Sequence, residues 1–326
     1  MNRASILGSL RITLGGMAAL ALGVSYFSIV EGASALWVAV PLIALSANLG
    51  VSVATHPTFR RQVPLMVFHL ALLAIVLLAA TGRLTSFKGQ AELAEGEVFD
   101  GKLVATQAGP LHAGGFEHIR FMNDGFSIRY APGIKRAETR NPVTVFDSRG
   151  AASSRVIGDT EPLLVDGYRF YTSSNKGFSL VFRWLRSGGA LDRGVVNLPA
   201  YPMHEHGQAI DWTLPGTDTR LWTMLQMDTP PLDPGRETMF RKPDSHTVVA
   251  RIGEARWELR PGDRIALSEG VLEYEGLSTW MGYRVFHDWT IPWLLAACLT
   301  AVMALGWHFW RKFASTPWNV EGETHG

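Results

Sequence analysis

Four long apolar runs decide what this chain can fold into: three crowd the stretch before Arg83 and the fourth occupies Ile291 to Trp310. A bilayer is spanned by about 20 consecutive apolar residues, and the stretches 12–30, 35–54, 64–82 and the fourth run each meet that length. In hydrocarbon every backbone polar group must be paired within the segment, so each run is expected to be a helix. The chain as a whole carries only 18% charged residues. The roughly 200 residues between the third and fourth runs are nevertheless mixed and polar, as in a water-facing globular domain.

The expected architecture is therefore an α-helical membrane protein with four transmembrane helices and a large, mainly-β extracytoplasmic domain inserted between helices 3 and 4. Residues 1–83 hold three helices, 84–290 form the antiparallel β domain, and 291–326 hold the last helix and a short tail. Orientation follows from Lys and Arg, which favour the cytoplasmic side of short loops. Arg3 and Arg11 precede the first run, Arg60 and Arg61 lie between the second and third, and Arg311 and Lys312 follow the fourth, whereas the first hairpin offers only Glu31. Both termini are expected inside, in the bacterial cytoplasmic (inner) membrane, with the β domain periplasmic or extracellular.

Ala33-Ser34-Ala35 has the small-x-small form of a signal-peptide cleavage site. The preceding apolar core of about 19 residues is too long for such a segment, whose core runs about 7–15 residues. Gly15, Ala19 and Gly23 form a small-residue stripe suited to close helix packing, which favours a retained helix.

Within residues 84–290 the apolar pattern changes to period two. Phe126 to Tyr130, Val143 to Phe146, Tyr168 to Tyr171, Phe178 to Trp184, Thr247 to Ile252 and Trp257 to Arg260 read as strands. Asn123-Asp124-Gly125, Pro132-Gly133, Asp147 to Gly150, Ser187-Gly188-Gly189 and Pro261-Gly262-Asp263 read as the turns between them. The Pro-rich stretch Thr229 to Pro234 divides the domain into two lobes or forms a long loop.

The one cysteine, Cys298, lies in the fourth run, so the β domain has no disulfide framework, no Cys-x-x-Cys redox pair and no thiolate zinc site. Nothing in the charge pattern points to nucleic acid; the partner implied by composition is the lipid bilayer.

Histidines carry the candidate chemistry. His69 sits in the third run, where an ionisable side chain is costly and marks a function or a partner. Its imidazole is suited to ligate a metal or haem iron, and its plainer role is a hydrogen bond to another helix, for example to Asn48. His287 stands at the opposite membrane face, about 20 Å from His69 at 1.5 Å per residue, so the two cannot hold one metal. His308 falls near the depth of His69, as does His56, which leaves an intrachain pair of haem ligands open; an aromatic-belt residue beside Trp307 and Trp310 is the ordinary alternative. His204 and His206, two apart, would share one face of a strand and hold zinc with a third ligand from His112, His118 or His246; a solvated turn is the alternative.

Several stretches together resemble one family. Phe68-His69-Leu70, Gly82, Gly89, Glu95-Gly96-Glu97, Asp124 to Ile128, the passage Glu161-Pro162-Leu163 to Tyr171-Thr172-Ser173-Ser174, and Tyr274-Glu275-Gly276-Leu277 are similar to the ResB/CcsB family of System II cytochrome c biogenesis. The resemblance covers nearly the whole chain. Two of its short elements differ: the Pro-Gln element after the first helix is absent, and His287-Asp288-Trp289-Thr290 stands where the family usually has Asp-Pro-Gly before the last helix.

What the resemblance implies is a subunit that works with a ResC/CcsA-type membrane partner to move haem b outward and present it to the Cys-x-x-Cys-His of an apocytochrome c. His69 would be an axial haem ligand within the membrane, the opposing ligand coming from the partner. The eleven tryptophans are scattered, with no haem-handling Trp-rich loop, so covalent attachment is not expected to be centred on this chain. The reading from another class is a membrane-anchored scaffold or binding module that does not bind haem.

Overall fold

The computed structural model describes residues 8–314, which form two compact units. The first joins the helices to a short segment, residues 107–113; the second comprises residues 88–106 and 114–286.

The helical unit contains α1 (Leu10–Ile29), α2 (Leu36–Thr55), a single-turn α3 (Pro57–Arg61), α4 (Val63–Thr85) and α5 (Ile291–Ala314). Four of these are long and apolar enough to cross a membrane. Their boundaries lie within a few residues of those read from hydropathy. The short α3 is an addition; Pro57 sits at its first position, where its fixed φ suits a helix start and its missing N–H costs nothing. Arg3 lies outside the described residues.

Successive spans pack side by side, α1 on α2, α2 on α4 and α4 on α5. The outward faces are lined by large apolar side chains such as Leu22, Ile29, Val302 and Met303, as required where the solvent is lipid. The small-residue contact between α1 and α2 is made by Gly23, a member of the predicted stripe, and by Gly16, which lies outside it. A Cβ at Gly23 would fall 2.1 Å from the carbonyl oxygen of Trp37, and one at Gly16 would fall 2.7 Å from Leu45, whereas Gly15 meets nothing within 4 Å. Residues 16 and 23 are seven apart and lie on one face, while a four-residue spacing drifts about 40° per step around the helix.

Residues 107–113 fasten the end of α4. The last carbonyls of a helix lack intrahelical partners, and here Leu84 accepts from the Leu111 amide, Ser86 from the Gly109 amide and Thr85 from His112 Nδ1. The carbonyl of Leu84 approaches so closely that a Cβ at Gly109 would sit 2.2 Å from it.

The second unit is mainly β, as expected. Its largest sheet has the order β2 (Ala105–Ala108), β1 (Phe87–Ala94), β16 (Gly270–His287), β8 (Tyr168–Arg186) and β7 (Leu163–Val165), with β15 (Arg264–Leu267) on β16 and β9 (Leu191–Asn197) on β8. A four-stranded sheet follows the order β10 (Ala209–Thr213), β11 (Arg220–Met227), β13 (His246–Ile252), β14 (Ala255–Leu259). A five-stranded sheet is built from β12 (Thr238–Phe240), β4 (Ser127–Ala131), β5 (Lys135–Phe146) and β3 (Arg120–Asn123), with β6 (Ala152–Gly158) on β5.

All five turn signals fall at chain reversals or strand ends, with Gly125, Gly133, Gly150, Gly189 and Gly262 at positive φ. The Pro-rich stretch is a loop between β11 and β12. Tyr168 to Tyr171 and Phe178 to Trp184 are parts of one 19-residue strand, β8, and not two strands. The segment between them carries Thr172 to Lys176, and residues 176–182 are buried on both faces, which erases the period-two pattern.

Strand β8 pairs with the 18-residue β16 from Arg186↔Gly270 to Arg169↔Phe286, with irregular register at Tyr274/Gly276 and Met281/Tyr283. At the second bulge only glycine fits: a Cβ at Gly282 would lie 2.6 Å from the Asn175 carbonyl oxygen and 2.7 Å from Ser173 Oγ. Beside it Tyr283, 1% exposed, donates to Asn141 Oδ1 at 2.8 Å, and Asn141 Nδ2 donates to Asn123 Oδ1 and to the Gly125 carbonyl. A buried polar network of this kind is stable only because its members satisfy one another.

Two consequences are open to measurement. Gly23→Leu forces a side chain into the Trp37 backbone and is expected to lower the unfolding temperature of the full chain in detergent, by overpacking worth about 1–3 kcal/mol. Lys176 is 3% exposed, donates to the Ser174 carbonyl and lies 5.6 Å from the Tyr130 ring centre. Burial, reinforced by Arg136, pushes its ammonium down to about 8. The unfolded chain then binds more protons between pH 8 and the ordinary lysine value, so stability rises with pH across that window. The cost below it is about 3 kcal/mol. Lys176→Met is expected to raise the unfolding temperature at pH 7 by about 4 °C or more and to flatten the rise above pH 8; an unchanged alkaline slope counts against the assignment.

Candidate functional site

The helical unit holds a cavity of about 860 Å³ bounded by faces of α1, α2, α3 and α4, in the range of sites that take a small molecule or cofactor. Leu65, His69, Leu72 and Val76 line it from α4, Leu45, Asn48, Leu49 and Ser52 from α2, and Leu10, Thr13 and Met17 from α1. The α1 and α4 sets recur at three- or four-residue intervals, and the α2 set follows the i, i+3, i+4, i+7 pattern, each the spacing of one helix face. Phe59 of α3, Thr58 and His56 complete the wall.

His69 lies in the second turn of α4, about 9 Å along the axis from Val63. Its Nδ1 lies 2.8 Å from the Leu65 carbonyl oxygen, one turn back. A carbonyl only accepts, so Nδ1 is the donor in this contact, and Nε2 is the nitrogen left to meet a ligand. Ligating histidines characteristically anchor their other nitrogen in this way, which fixes both tautomer and ring orientation. The ring is held between Phe59, at 4.5 Å between centres, and Phe68 at 5.2 Å.

Asn48, the expected hydrogen-bond partner of His69, has other bonds: its Oδ1 accepts from Thr13 Oγ1 at 2.7 Å and its Nδ2 donates to the Ser9 carbonyl at 3.3 Å. Ser52 Oγ reaches the Gly8 carbonyl at 3.0 Å. These bonds tie α1 to α2 and leave Asn48 and His69 on walls of the same cavity.

His56 also lies on that wall, its ring 6.4 Å from the Phe59 ring. His308 stands about as far past Ile291, the start of α5, as His69 stands before Thr85, the end of α4. Because α4 ends beside the start of α5, where the position of a Gly82 Cβ is 2.8 Å from Thr290 Oγ1, the two lie at the same depth. His308 does not line the cavity; its ring packs 5.6 Å from Phe309.

His287 is at the other end of the bundle, where α4 leaves and α5 begins. Its ring centre is 5.5 Å from that of His112, and His112 stacks on Phe87 at 4.9 Å. Burial, and then the neighbouring His112, holds the His287 imidazolium below the ordinary histidine range. Asp288 Oδ1 accepts from the Thr290 amide and hydroxyl, and Trp289 Nε1 donates to Thr85 Oγ1 at 3.1 Å. Sequence reasoning did not find the His112–His287 pair, because more than half of the chain separates the two and no local pattern links them.

His204 and His206 sit in a turn and not on a strand, so the same-face argument for two-residue spacing does not apply. Among the described residues no group of three or more His, Cys, Asp or Glu could hold a metal ion. Of the other histidines offered as a third ligand, His118 pairs with Asp166 at 2.8 Å and His246 Nε2 bonds the Tyr274 hydroxyl at 2.8 Å. The zinc reading therefore has no third ligand.

Four apolar spans, a mainly-β domain between the third and fourth, and a histidine-bearing cavity inside the bundle define a membrane protein with a large globular insertion. The model of the ResB-like family matches residues 50–221, just over half of the chain, from the end of α2 through most of the β domain. The chain belongs to the ResB-like family, and membership points to involvement in cytochrome c biogenesis. The matched span includes His69. No curated protein matches the chain.

Proposed function

We propose that this protein is a haem-handling, non-catalytic subunit of a cytochrome c biogenesis complex, with His69 as an axial ligand for haem b inside the membrane. The observation that carries this reading is the His69 imidazole, its Nδ1 committed to Leu65, on the wall of an 860 Å³ cavity within the bundle. Haem iron takes a histidine nitrogen as an axial ligand, and the bound group would be the porphyrin destined for the client's cysteines. Leu45, Leu49, Leu72 and Val76 supply apolar walls, and Phe59 and Phe68 pack against the imidazole. His56 and Thr58 are polar side chains on that wall able to hydrogen-bond carboxylates such as propionates.

The opposing axial ligand comes from a ResC/CcsA-type membrane partner: His308, at the same depth, is not among the residues that line the cavity. The client is an apocytochrome c bearing Cys-x-x-Cys-His, and the β domain is where it docks. Orientation rests on the basic residues. Arg11 at the start of α1, Arg61 at the end of α3 and Arg311 and Lys312 in the last turn of α5 gather at one end of the bundle, which is the cytoplasmic end by the positive-inside rule. The termini are then cytoplasmic, the membrane is the bacterial inner membrane, and the β domain is periplasmic or extracellular. Arg83, at the other end, packs over the Phe27 ring at 5.6 Å.

The test is co-expression with the ResC/CcsA-type partner and an absorbance spectrum of the detergent-solubilised complex. Wild type is expected to show the Soret and α/β bands of bis-imidazole haem, and His69→Ala to lower haem content and cytochrome c yield about tenfold or more, the scale on which losses at a ligand site fall. A spectrum and yield unchanged by His69→Ala overturn the assignment, and absence of haem from wild type favours the scaffold reading.

A further inference from the structure

Between α4 and α5 the chain comes back once to the helical unit. It leaves the β unit after Thr106, lies in the helical unit from residue 107 to 113, and re-enters the β unit at Gly114. The backbone of this returning segment is fastened to the end of a span: the Leu111 amide donates to the Leu84 carbonyl and the Gly109 amide to the Ser86 carbonyl, each at 2.8 Å. Thr85 is bonded from two sides, its carbonyl by His112 Nδ1 at 3.0 Å and its hydroxyl by Trp289 Nε1 at 3.1 Å.

These bonds fix the depth of the segment. The 23 residues of α4 extend about 35 Å, beyond a hydrocarbon core about 30 Å thick, so its last turn reaches the headgroup layer. Trp and Tyr collect at that level in membrane proteins. At this end of the bundle Tyr26 near the end of α1, Trp37 at the start of α2, and Trp289 and Trp293 about the start of α5 are all exposed, which makes an aromatic belt. Trp289 of the belt and His112 of the returning segment bond the same threonine. The segment therefore lies at the height of the belt and not in bulk water.

Its composition suits that place. No Asp, Glu, Lys or Arg stands between Lys102 and Glu117, the longest such run from α4 to α5. Leu111 is 64% exposed, and Pro110 beside it is exposed as well. A lone exposed leucine in water needs no explanation; one held by backbone bonds at headgroup height, in a run without charge, has the acyl chains beside it. We propose that residues 107–113 form an interfacial anchor, with Pro110 and Leu111 seated at the boundary between phospholipid headgroups and acyl chains. The ligand is the apolar part of the bilayer, because a run without cations has nothing with which to select anionic headgroups. The anchor gives the chain of the β unit a third attachment to the membrane besides its connections to α4 and α5. It depends on the spans and not on His69, so it stands or falls independently of the haem reading.

The experiment uses full-length protein in phosphatidylcholine bilayers, in a Cys298→Ala background that removes the one native thiol. A nitroxide is attached at Leu111→Cys, at Leu164→Cys on the exposed face of β7, or at Leu295→Cys within α5. Collisions of each label with oxygen, which concentrates in lipid, are compared with collisions with a water-soluble nickel chelate. The oxygen-to-nickel ratio at 111 is expected to be several-fold above that at 164 and below that at 295, and to stay the same when phosphatidylglycerol is added. A ratio at 111 equal to that at 164, or raised only in anionic lipid, overturns the inference. Thermal unfolding of the labelled proteins reports whether they fold. A readout on the unsubstituted protein avoids that question: phosphatidylcholine carrying a diazirine near the glycerol end of an acyl chain is expected, on illumination, to modify the tryptic peptide of residues 103–120, read by mass spectrometry. Adducts confined to the four spans overturn the inference.

Discussion

A single hydrogen bond inside one helix, from His69 Nδ1 to the Leu65 carbonyl, sets what the membrane half of this protein can do. A ring nitrogen in lipid without a partner would cost several kcal/mol; the bond removes that cost for Nδ1 and leaves the opposite face of the ring presented in a defined direction. The helix supplies its own acceptor, so the orientation of the imidazole does not depend on a neighbouring side chain. Phe59, on the short helix that follows His56, closes against it. The turn between α2 and α4 is thus more than a connection: it furnishes the aromatic wall that holds the ring.

The β domain owes its form to a different constraint, the pairing of two strands of 19 and 18 residues across two irregularities of register. Strands so long would twist out of any single plane. The bulge at Gly282 bends the pair where Asn175 and Ser173 press against its backbone. Tyr283, next to it, is carried inward to the Asn141–Asn123 network beneath the Asn123-Asp124-Gly125 turn. One glycine without a side chain therefore permits one of the contacts that tie the five-stranded sheet to the seven-stranded one, beside the Arg136 bonds to Thr172 and Ser173.

The four spans were legible because the hydropathy of a membrane-length window is a property of the segment alone, and the five turns because Gly at positive φ follows from local sterics. Strand β8 was legible only at its ends, since residues buried on both faces show no alternation. The small-residue stripe of α1 was placed on Gly15, Ala19 and Gly23, but the period of a helix is shorter than four residues, which brings Gly16 and Gly23 to the contact. His69 stood out because charge is rare in lipid. Its anchoring to Leu65 and its separation from Asn48 depend on side-chain torsions, which no pattern of residue types encodes. The apposition of His112 with His287 required knowing that residues 107–113 return to the end of α4, and nothing in Gln107 to Ala113 announces it.

Helix α4 is the element through which these features are related. It bears His69 near one end, and at the other it offers Gly82 and Thr85 to the start of α5 and to residues 107–113. The carbonyls of its last turn would otherwise be unpaired at the edge of a membrane, and the returning segment satisfies them while bringing His112 to its place. Without Gly82 the Thr290 side chain could not approach, and the register of α5 on α4 would shift; the depth of His308 relative to His69 is set by that same contact. A helix of 23 residues, about 35 Å long, thereby fixes the positions of histidines near both of its ends and keeps them too far apart for any shared ligand.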